Sequence, residues 1–411
     1  MQKRTLNNGL KVICYPIEHA MSVEIGLYIR AGARYENKEN NGITHLLEHM
    51  HFRQLGNMKQ KEIYEYAEKM GSTLRGTTYK EMLCFNIKVR PKYLKKSLNL
   101  FEKIITTYEW TEEQLKSEKK VVISEIREKE DNNENQKIID RVIWNKHPLS
   151  NSILGNASNI KRITLQKLVQ YKKKIFCKDN MLLVITGAIN EEEIIWINKK
   201  FEAIAINECL QKINSNNMND GQFKRKHNYL MKNYPEWNLI NMQLIFDVDL
   251  KQIKENELLF FNSIVGGGDG SYLQQEIRDK RGMVYDIYSY GEIFSDKAVW
   301  SIVYSIEKDQ LYLSLNVIVK MLKMLKTVIS QEDIEKNMPF FTENLWYWTE
   351  GTKELNFQLG NDFIKNKIGL TINERIKENE KINYERMQKV AEIILKNKNM
   401  SLIAMGPIKG R

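Results

Sequence analysis

Two ten-residue segments of this chain resemble each other at a separation of 219 residues. NMLLVITGAI (180–189) and NMSLIAMGPI (399–408) share Asn, Met, Leu, Gly and Ile at matching positions. Each segment is apolar and follows a helical pattern that ends in Lys and Asn, so each predicts a strand that leaves a helix. The separation divides the 411 residues into halves of similar length and predicts two homologous domains.

The segment between the two halves is polar. QKINSNNMNDGQFKRK (211–226) is rich in Asn and in charged residues, which is typical of a linker. We therefore predict an N-terminal domain over 1–212, a linker over 213–228 and a C-terminal domain over 229–411.

Strand and helix patterns alternate in the first half. Residues 22–30 and 83–89 alternate apolar and polar side chains, as half-buried strands do, whereas 92–140 has a helical pattern. The interleaving predicts a mixed α/β composition. No apolar run approaches the roughly 20 residues of a membrane-spanning helix, so we expect no membrane span.

The N-terminus and the cysteines bear on the compartment. Residues 1–19 contain no apolar core as long as that of a secretory signal. The cysteines are scattered and form no C-x-x-C pair: Cys14, Cys84, Cys177 and Cys209. This spacing predicts free buried thiols in a reducing compartment, and we expect a cytoplasmic protein.

The formal net charge of +11 raises the question of an anionic partner. The lysines are spread along the chain, with short clusters at 172–174 and 224–226. Zinc-finger, RNA-recognition and helix-turn-helix signatures are absent from the sequence, so we expect solvated faces and no nucleic acid partner. An acidic peptide substrate would also fit this charge.

Three of the six histidines fall in HLLEHMH (45–51), after two residues that can cap a helix, Asn41 and Thr44. Apolar side chains recur here with helical spacing: Ile43, Leu46, Leu47 and Met50. This stripe predicts the face of a helix that packs on the core. His51 lies on another face, and we assign it no role.

His45 and His49 lie one helical turn apart, so both imidazoles can bind one metal ion. Glu48 lies beside them, where it can act as a general base toward a water on that ion. These donors suit zinc, whose catalytic sites keep three protein ligands and a water with a pKa lowered to about 7. Paired histidines on a helix are often only solvated, so the hypothesis requires a third ligand.

A third ligand is expected on a later helix. Thr111 and Gln114 form a capping box at its start. Glu118 and Glu125 follow two turns apart on a face with apolar neighbours, where a carboxylate needs a charge partner such as a metal. Together with H-x-x-E-H this is the inverzincin pattern.

The chain resembles the pitrilysin, or insulinase-type, zinc metallopeptidases over most of its length. TLNNGLKVICYPIEHAMSVEIGLYIRAGARYE, leading into ENNGITHLLEHMHF, is similar to the opening of that family. Its third zinc ligand is a glutamate at the place of Glu125, 76 residues after His49. The resemblance implies one Zn²⁺ per chain on His45, His49 and Glu125, with Glu118 supporting the site.

The segment RGTTYKE (75–81) resembles the family motif N-A-x-T-x-x-E, beside which substrate adds as a strand to a sheet edge. Thr78 and Glu81 match this motif, and Arg75 stands where asparagine is usual. The resemblance implies a substrate-binding strand of four residues: Arg75, Gly76, Thr77 and Thr78. An arginine there would favour an acidic substrate residue.

GGGDGSYLQQEIRDKRGMVYDI (266–287) resembles the second signature of the family. Arg278 and Tyr285 match a pair that binds the substrate carbonyl and stabilises the oxyanion, so the resemblance implies a catalytic and substrate-binding role for both. Without the family, the glycines are a weak likeness to a phosphate-binding loop and lack its lysine. His45 shifted by 219 falls on Ile264, so the second copy lacks the histidine cluster.

The resemblance also implies a fold and an assembly. We expect an α+β chain of two homologous domains, each a mainly antiparallel sheet packed with helices, that form half of a clamshell. Small members dimerise, with the Arg/Tyr pair of one subunit facing the zinc of the other. A homodimer is expected, and a heterodimer with a paralogue is the alternative.

These features predict a zinc endopeptidase that cleaves peptides or unfolded segments. A narrower hypothesis is removal of an acidic leader from a ribosomally made peptide, and peptide degradation is an equal alternative. The hypothesis from another class is a non-catalytic or partner-dependent subunit of a processing peptidase.

Overall fold

The computed structural model describes residues 1–209, 228–367, 369–396 and 399–408. The described residues form two compact units. Unit 1 consists of described residues within 1–140, 146–209 and 348–369, and unit 2 of those within 141–145, 228–347 and 370–408. The predicted linker lies outside the described residues except for Asn228.

The strands are β1 (Gln2–Thr5), β2 (Lys11–Pro16), β3 (Val23–Arg30), β4 (Gln54–Leu55), β5 (Met58–Lys59), β6 (Arg75–Thr78), β7 (Met82–Val89), β8 (Met181–Gly187), β9 (Tyr229–Asn233), β10 (Ile240–Val248), β11 (Ile287–Ile293), β12 (Ala298–Ile306) and β13 (Met400–Gly406). The helices are α1 (Ile43–Arg53), α2 (Gln60–Glu68), α3 (Leu94–Thr106), α4 (Glu112–Trp144), α5 (Ala157–Arg162), α6 (Leu165–Ile175), α7 (Glu191–Glu202), α8 (Glu255–Gly266), α9 (Leu311–Val328), α10 (Gln331–Glu350), α11 (Thr352–Ile364), α12 (Ile372–Asn379) and α13 (Tyr384–Ile394). Among the described residues, no helix combines the length and apolarity that crossing a membrane would require.

Each unit contains one large, mainly antiparallel sheet. In unit 1 the strand order is β1-β2-β8-β3-β7-β6, with β2 and β8 parallel. In unit 2 the order is β11-β12-β10-β13-β9, with β13 and β9 parallel. Helices pack on both sheets, so the predicted α+β class with two similar domains is confirmed.

The predicted repeat occupies the same place in the two units. β8 and β13 each pair parallel with one strand and antiparallel with the long strand on their other side, β3 and β10 respectively. The asparagine before each strand makes matching bonds. The Asn180 amide donates to backbone carbonyls in β3 and α6 at 3.0 and 2.7 Å, and the Asn399 amide donates to carbonyls in β10 and α13 at 3.0 and 2.6 Å.

Helix α11 returns from the second half of the sequence to unit 1. Its apolar residues pack with Tyr28 and Val184 on one face of the sheet, and the Tyr28 hydroxyl donates to Asn356 at 2.8 Å. The predicted domain that runs unbroken over 229–411 therefore has to be corrected at residues 348–369. β3 is buried along its whole length and not half-buried, because α11 covers the face that alternation assigned to solvent.

The cysteines depart from the sequence prediction. Cys177 and Cys209 form a disulfide, so the expectation of four free thiols is wrong for this pair. The bond depends on a β-bridge between Cys177 and Asn207, a long-range pairing that the spacing did not indicate. Cys14 and Cys84 are free and buried, and burial raises the pKa of both thiols to about 12. Neither is a thiolate nucleophile at neutral pH, and cysteine usage no longer points to a reducing compartment.

Candidate active site

Helix α1 forms as the sequence predicts, with its apolar stripe in the core. Four side chains of this stripe are at most 2% exposed: Ile43, Leu46, Leu47 and Met50. They pack with the interior of the unit 1 sheet, which fixes the rotation of the helix. The stripe that carries His45, Glu48 and His49 therefore faces away from the core centre, toward β6 and α4.

The start of α1 differs from the prediction. The N-cap residue is Gly42, with φ of 100°, and neither Asn41 nor Thr44 caps the helix with its side chain. The carboxylate of Glu36 takes this role by accepting hydrogen bonds from the backbone N–H groups of Gly42 and Thr44. The sequence prediction missed Glu36 because it lies six residues before the N-cap, outside the usual capping positions.

The three predicted metal ligands come together in unit 1. Oε2 of Glu125 on α4 lies 3.6 Å from Nε2 of His45 and 3.6 Å from Nε2 of His49. The imidazole rings of the two histidines are 4.5 Å apart between centroids, and one donor atom from each of the three residues lies within 4.8 Å of the others. Long-range packing of α4 on α1 thus joins ligands that are 76 residues apart in sequence.

This donor set fits a zinc ion. Ligand atoms bound tetrahedrally at about 2.0–2.2 Å from one ion lie roughly 3.3–3.6 Å apart. The two nitrogen–oxygen distances of 3.6 Å fall at the upper end of that range. Two imidazole nitrogens and one carboxylate oxygen also leave a fourth position for water or substrate, as catalytic zinc sites require.

Glu118 orients His49 from behind. Its Oε1 lies 2.7 Å from Nδ1 of His49, so Nδ1 is engaged and Nε2 is turned toward Glu125. The other oxygen accepts a hydrogen bond from Nε of Arg53. Such partners fix the tautomer and ring orientation of a metal-binding histidine. The predicted supporting role of Glu118 fits this geometry.

Arg53 is a site residue that the sequence prediction missed. It lies one turn after His49 on α1, and the i, i+4 spacing from His49 was the available signal. Arg53 also donates to Oε1 of Gln60 at 2.8 Å, which holds its side chain at the end of the helix. The guanidinium compensates the charge of Glu118, a carboxylate that is only 5% exposed.

The pKa values of this cluster show a site arranged for a cation. Burial acts to raise the pKa of Glu118, but hydrogen bonds with His49 and Arg53 outweigh it and lower that pKa below its usual value. Burial acts to lower the pKa of His49, but Glu118 and Glu125 raise it to about 9. The carboxylates thus create a negative potential at the imidazole, and a divalent cation bound there would be stabilised by the same potential.

Glu48, the predicted base, is held by β6. It is only 9% exposed, and Oε2 accepts a hydrogen bond of 2.6 Å from the hydroxyl of Thr78. A Cβ atom on Gly76 would lie 2.7 Å from Cγ of Glu48, so the absence of a side chain at Gly76 lets helix and strand approach closely. The predicted base thus lies between the ligand helix and the predicted substrate strand.

β6 forms the end of its sheet and pairs with β7 alone among the described strands. Its residues alternate between two faces. Gly76 and Thr78 pair with Phe85 and Leu83 of the main core, on the side of α1. Thr77 pairs with Cys84 on the face that α11 covers, so the exposed Arg75 belongs to that face as well.

The remaining motif residues take other places. Glu81 accepts a 2.6 Å ion pair from the fully buried Arg34 and fastens the loop before α1 to the β6–β7 turn. Arg278 lies in a π-helical segment, Gln274–Asp279, and Tyr285 is 90% exposed. Arg278 and Tyr285 belong to unit 2, whereas every other predicted site residue belongs to unit 1.

His51 has no part in the site, as predicted. It is 1% exposed, its Nδ1 lies 2.7 Å from the carbonyl oxygen of Leu47, and its ring contacts Phe85, Trp110 and Phe176. Burial lowers the pKa of this imidazole well below its usual value. His51 is a neutral core residue.

Two family profiles match successive parts of the chain. The profile described as insulinase (peptidase family M16) matches residues 11–157, and the one described as peptidase M16 inactive domain matches 162–338. The first match contains the three candidate ligands and Glu48. The second contains Arg278 and Tyr285.

Individual relatives extend over nearly the whole chain. An uncharacterised zinc protease of Rickettsia bellii is 27% identical over 362 residues, which are 87% of this chain and 86% of the relative. The human mitochondrial-processing peptidase subunit beta is 22% identical over 406 residues, which are 94% of this chain and 80% of the relative. A crystal structure of a protease from Helicobacter pylori has the same fold, with a TM-score of 0.86 over 99% of both chains at 21% identity.

Proposed function

This chain belongs to the insulinase-type peptidases of family M16, a family of zinc proteases, and we propose that it is itself an active zinc endopeptidase. Its substrates are peptides or unfolded segments of proteins. One observation carries the proposal: His45, His49 and Glu125 converge on one point, with Glu48 beside them on the same helix face. A subunit without catalytic activity would have no need to keep all four groups in place.

The chemistry follows from these groups. A zinc ion on His45, His49 and Glu125 would polarise the scissile carbonyl and make the attacking water more acidic. Glu48 takes the proton of that water as general base and passes it to the leaving amine. The hydrogen bond from Thr78 holds one oxygen of Glu48, and the other oxygen is the one that takes the proton. Glu118 and Arg53 keep His49 in the orientation that binding requires.

Substrate would bind as an additional strand on β6. An edge strand offers backbone N–H and C=O groups to an extended peptide, so it can hold many sequences in one geometry. Thr78 joins this strand to Glu48, so a peptide paired with Arg75–Thr78 lies next to the base. Arg75 is exposed on the face opposite α1 and would favour acidic side chains that point to that face.

Removal of an acidic leader peptide is the narrower form of this proposal. It is supported by Arg75, by the net charge of +11 and by the likeness to a subunit of a processing peptidase. Degradation of peptides remains the equal alternative. A library of peptides with and without acidic residues, cut by the protein and mapped by mass spectrometry, separates the two: processing requires cuts at a few sites, and degradation gives many.

The test of the catalytic proposal is Glu48→Gln. The amide keeps the size of the side chain but cannot take a proton, so we expect cleavage to fall by about 10²–10⁴-fold, the usual contribution of a general base. Zinc content, measured on the same preparation, should stay at one ion per chain. Unchanged turnover would remove Glu48 from the mechanism, and absence of zinc from the wild-type protein would favour the non-catalytic subunit.

We further propose a homodimer in which Arg278 and Tyr285 of one subunit serve the metal site of the other. Donors at this position would stabilise the oxyanion of the tetrahedral intermediate. Glu48→Gln and Tyr285→Phe subunits, each of low activity alone, should regain activity when mixed, because one site of the mixed dimer then contains both native groups. Failure of the mixture to regain activity, with exchange of subunits shown by native mass spectrometry, excludes this arrangement.

A further inference from the structure

The loop before α1 ends in a buried carboxylate with four hydrogen-bond donors around it. Glu36 is 3% exposed. Its Oε1 accepts from the backbone N–H and the hydroxyl of Thr44 at 2.9 and 2.5 Å. Its Oε2 accepts from the backbone N–H of Gly42 at 2.7 Å and from the side-chain amide of Asn41 at 2.8 Å. Both oxygens are therefore satisfied entirely by donors.

The orientation of each donor is fixed by a further contact. The Asn41 amide nitrogen also donates to the carbonyl of Ser152 at 2.8 Å, which identifies it as the nitrogen. The Thr44 hydroxyl donates to Glu36, so at its 2.6 Å contact with the hydroxyl of the buried Tyr171 it is the acceptor. Burial raises the pKa of the Glu36 carboxyl above its usual value, and these hydrogen bonds act to lower it. Only an ionised carboxylate meets four donors in this way, so the geometry fits the charged form at neutral pH.

The backbone that carries Glu36 is also held in place. The side-chain amide of Asn151 donates to the carbonyl oxygens of Ala33 and Glu36 at 3.0 and 3.2 Å. Arg34, between them in the same loop, donates its backbone N–H to Lys80 at 2.8 Å and pairs with Glu81. The carboxylate therefore reaches the helix from a fixed point, the turn after β6.

The position of this cap matters because a predicted metal ligand lies directly after it. With Gly42 as N-cap, His45 is the third residue of α1 and lies in its first turn. The backbone N–H groups of a first turn have no partner within the helix, and the turn unravels easily unless a cap holds them. His49 and Glu48 lie further along, where the intrahelical ladder is complete. Loss of the cap would thus release His45 before it released the other groups.

We infer that Glu36 is a positioning residue of the metal centre, which holds His45 in its binding orientation by capping the first turn of α1. The inference rests on the proposed metal site, since it concerns the affinity of that site for zinc. It assigns a role to a residue outside the H-x-x-E-H motif, which acts through the helix that carries the ligand.

Glu36→Gln is the informative change. The amide keeps the shape of the side chain but turns one acceptor into a donor, and each oxygen of Glu36 faces two donors. Whichever way the amide is placed, its NH₂ group meets two donors, so the cap is lost without creating a cavity. We expect zinc to bind about ten- to a hundredfold more weakly, the usual effect of losing an outer partner of a metal ligand.

The control is Glu257→Gln in unit 2. Glu257 is 6% exposed, and its carboxylate accepts from the backbone N–H of Lys254 at 2.8 Å at the start of α8 and pairs with Arg386. This variant also loses a buried carboxylate at a helix start, but the affected helix carries none of the predicted ligands. We expect it to change the unfolding transition and to leave zinc affinity unchanged.

The experiment measures zinc affinity by competition with a chromophoric chelator, and the visible spectrum of the Co²⁺-loaded protein. Support for the inference is weakened zinc binding and an altered Co²⁺ spectrum in Glu36→Gln, with both readouts native in Glu257→Gln. Native readouts in a folded Glu36→Gln protein overturn it, and so do equal losses in the two variants. Should wild type bind neither ion, the proposed metal site falls together with this inference.

A second variant covers the case in which Glu36→Gln does not fold. Thr44→Val removes one donor to Glu36 and the link to Tyr171 but keeps the backbone N–H and the branched shape. We expect a smaller loss of zinc affinity, about three- to tenfold, since one of four hydrogen bonds disappears. Thr44→Ser, which keeps the hydroxyl, should restore native affinity. Equal affinities in the valine and serine variants contradict the inference.

Discussion

The hydroxyl of Thr78 donates a 2.6 Å hydrogen bond to Oε2 of Glu48, which joins the edge strand β6 to the ligand helix α1. The predicted base and the predicted substrate strand are thus one connected structure. A peptide that pairs with β6 would be in register with the carboxylate that deprotonates the attacking water. The relationship also fixes Glu48 in one orientation before substrate arrives, which removes part of the entropic barrier to reaction.

Thr78→Val should therefore lower turnover without affecting the metal. The valine keeps the branched shape and the β propensity but leaves Glu48 without this donor. A hydrogen bond to a charged group contributes about 1.5–3 kcal/mol, and 1.4 kcal/mol corresponds to tenfold, so kcat should fall by about tenfold or more. Thr106→Val, at the end of α3, is the matched control and should keep native turnover. Native kcat in Thr78→Val would show that this bond has no part in orienting the base.

Glu118→Gln should weaken zinc binding by about 10–100-fold. The amide can still accept from His49, but its NH₂ group would then face the Nε–H of Arg53, so the orientation of the imidazole is no longer fixed. Isothermal titration with zinc measures the effect. Glu113→Gln, on an exposed position of the same helix, provides the comparison, and equal affinities of the two variants would contradict the role of Glu118.

Removal of zinc should destabilise unit 1. A ligand that binds only the folded state stabilises it by about 2.7 kcal/mol at a concentration of 100 times Kd, so a chelator should lower the unfolding midpoint by the corresponding amount. The double variant His45→Ala/His49→Ala should show no change of midpoint with either zinc or chelator. A zinc-dependent midpoint that persists in this variant would place the metal elsewhere.

Reduction should destabilise the same unit by a different route. The disulfide joins residues separated by 32 positions, and closing a loop of that length restricts the unfolded chain by about 3–4 kcal/mol. We expect a reductant to lower the denaturant midpoint of the wild-type protein and to leave that of Cys177→Ala/Cys209→Ala unchanged. Peptide mapping without reduction should recover the two cysteines in one cross-linked fragment, and recovery of both as free thiols would refute the bond.

Local patterns were sufficient for the parts of the site that lie on single helices. The spacing of His45 and His49 and the apolar stripe beneath them depend on helical periodicity, which can be read directly from residue order. The capping box of Thr111 and Gln114 also forms as predicted, with hydrogen bonds of 2.9 and 3.2 Å. Within unit 2 the repeat at 399–408 became β13, because the same apolar pattern selects the same place in a sheet.

Other features depend on contacts between distant parts of the chain. The cap from Glu36, the guanidinium of Arg53 behind Glu118 and the bond from Thr78 to Glu48 join separate elements, and no local periodicity records such contacts. The return of α11 and the bond between Cys177 and Cys209 are of the same kind. Residue types and their spacing established which groups can bind a metal and on which helices they lie. Tertiary packing set how firmly each group is held, because the orientation of a side chain depends on all of its neighbours and not only on those adjacent in sequence.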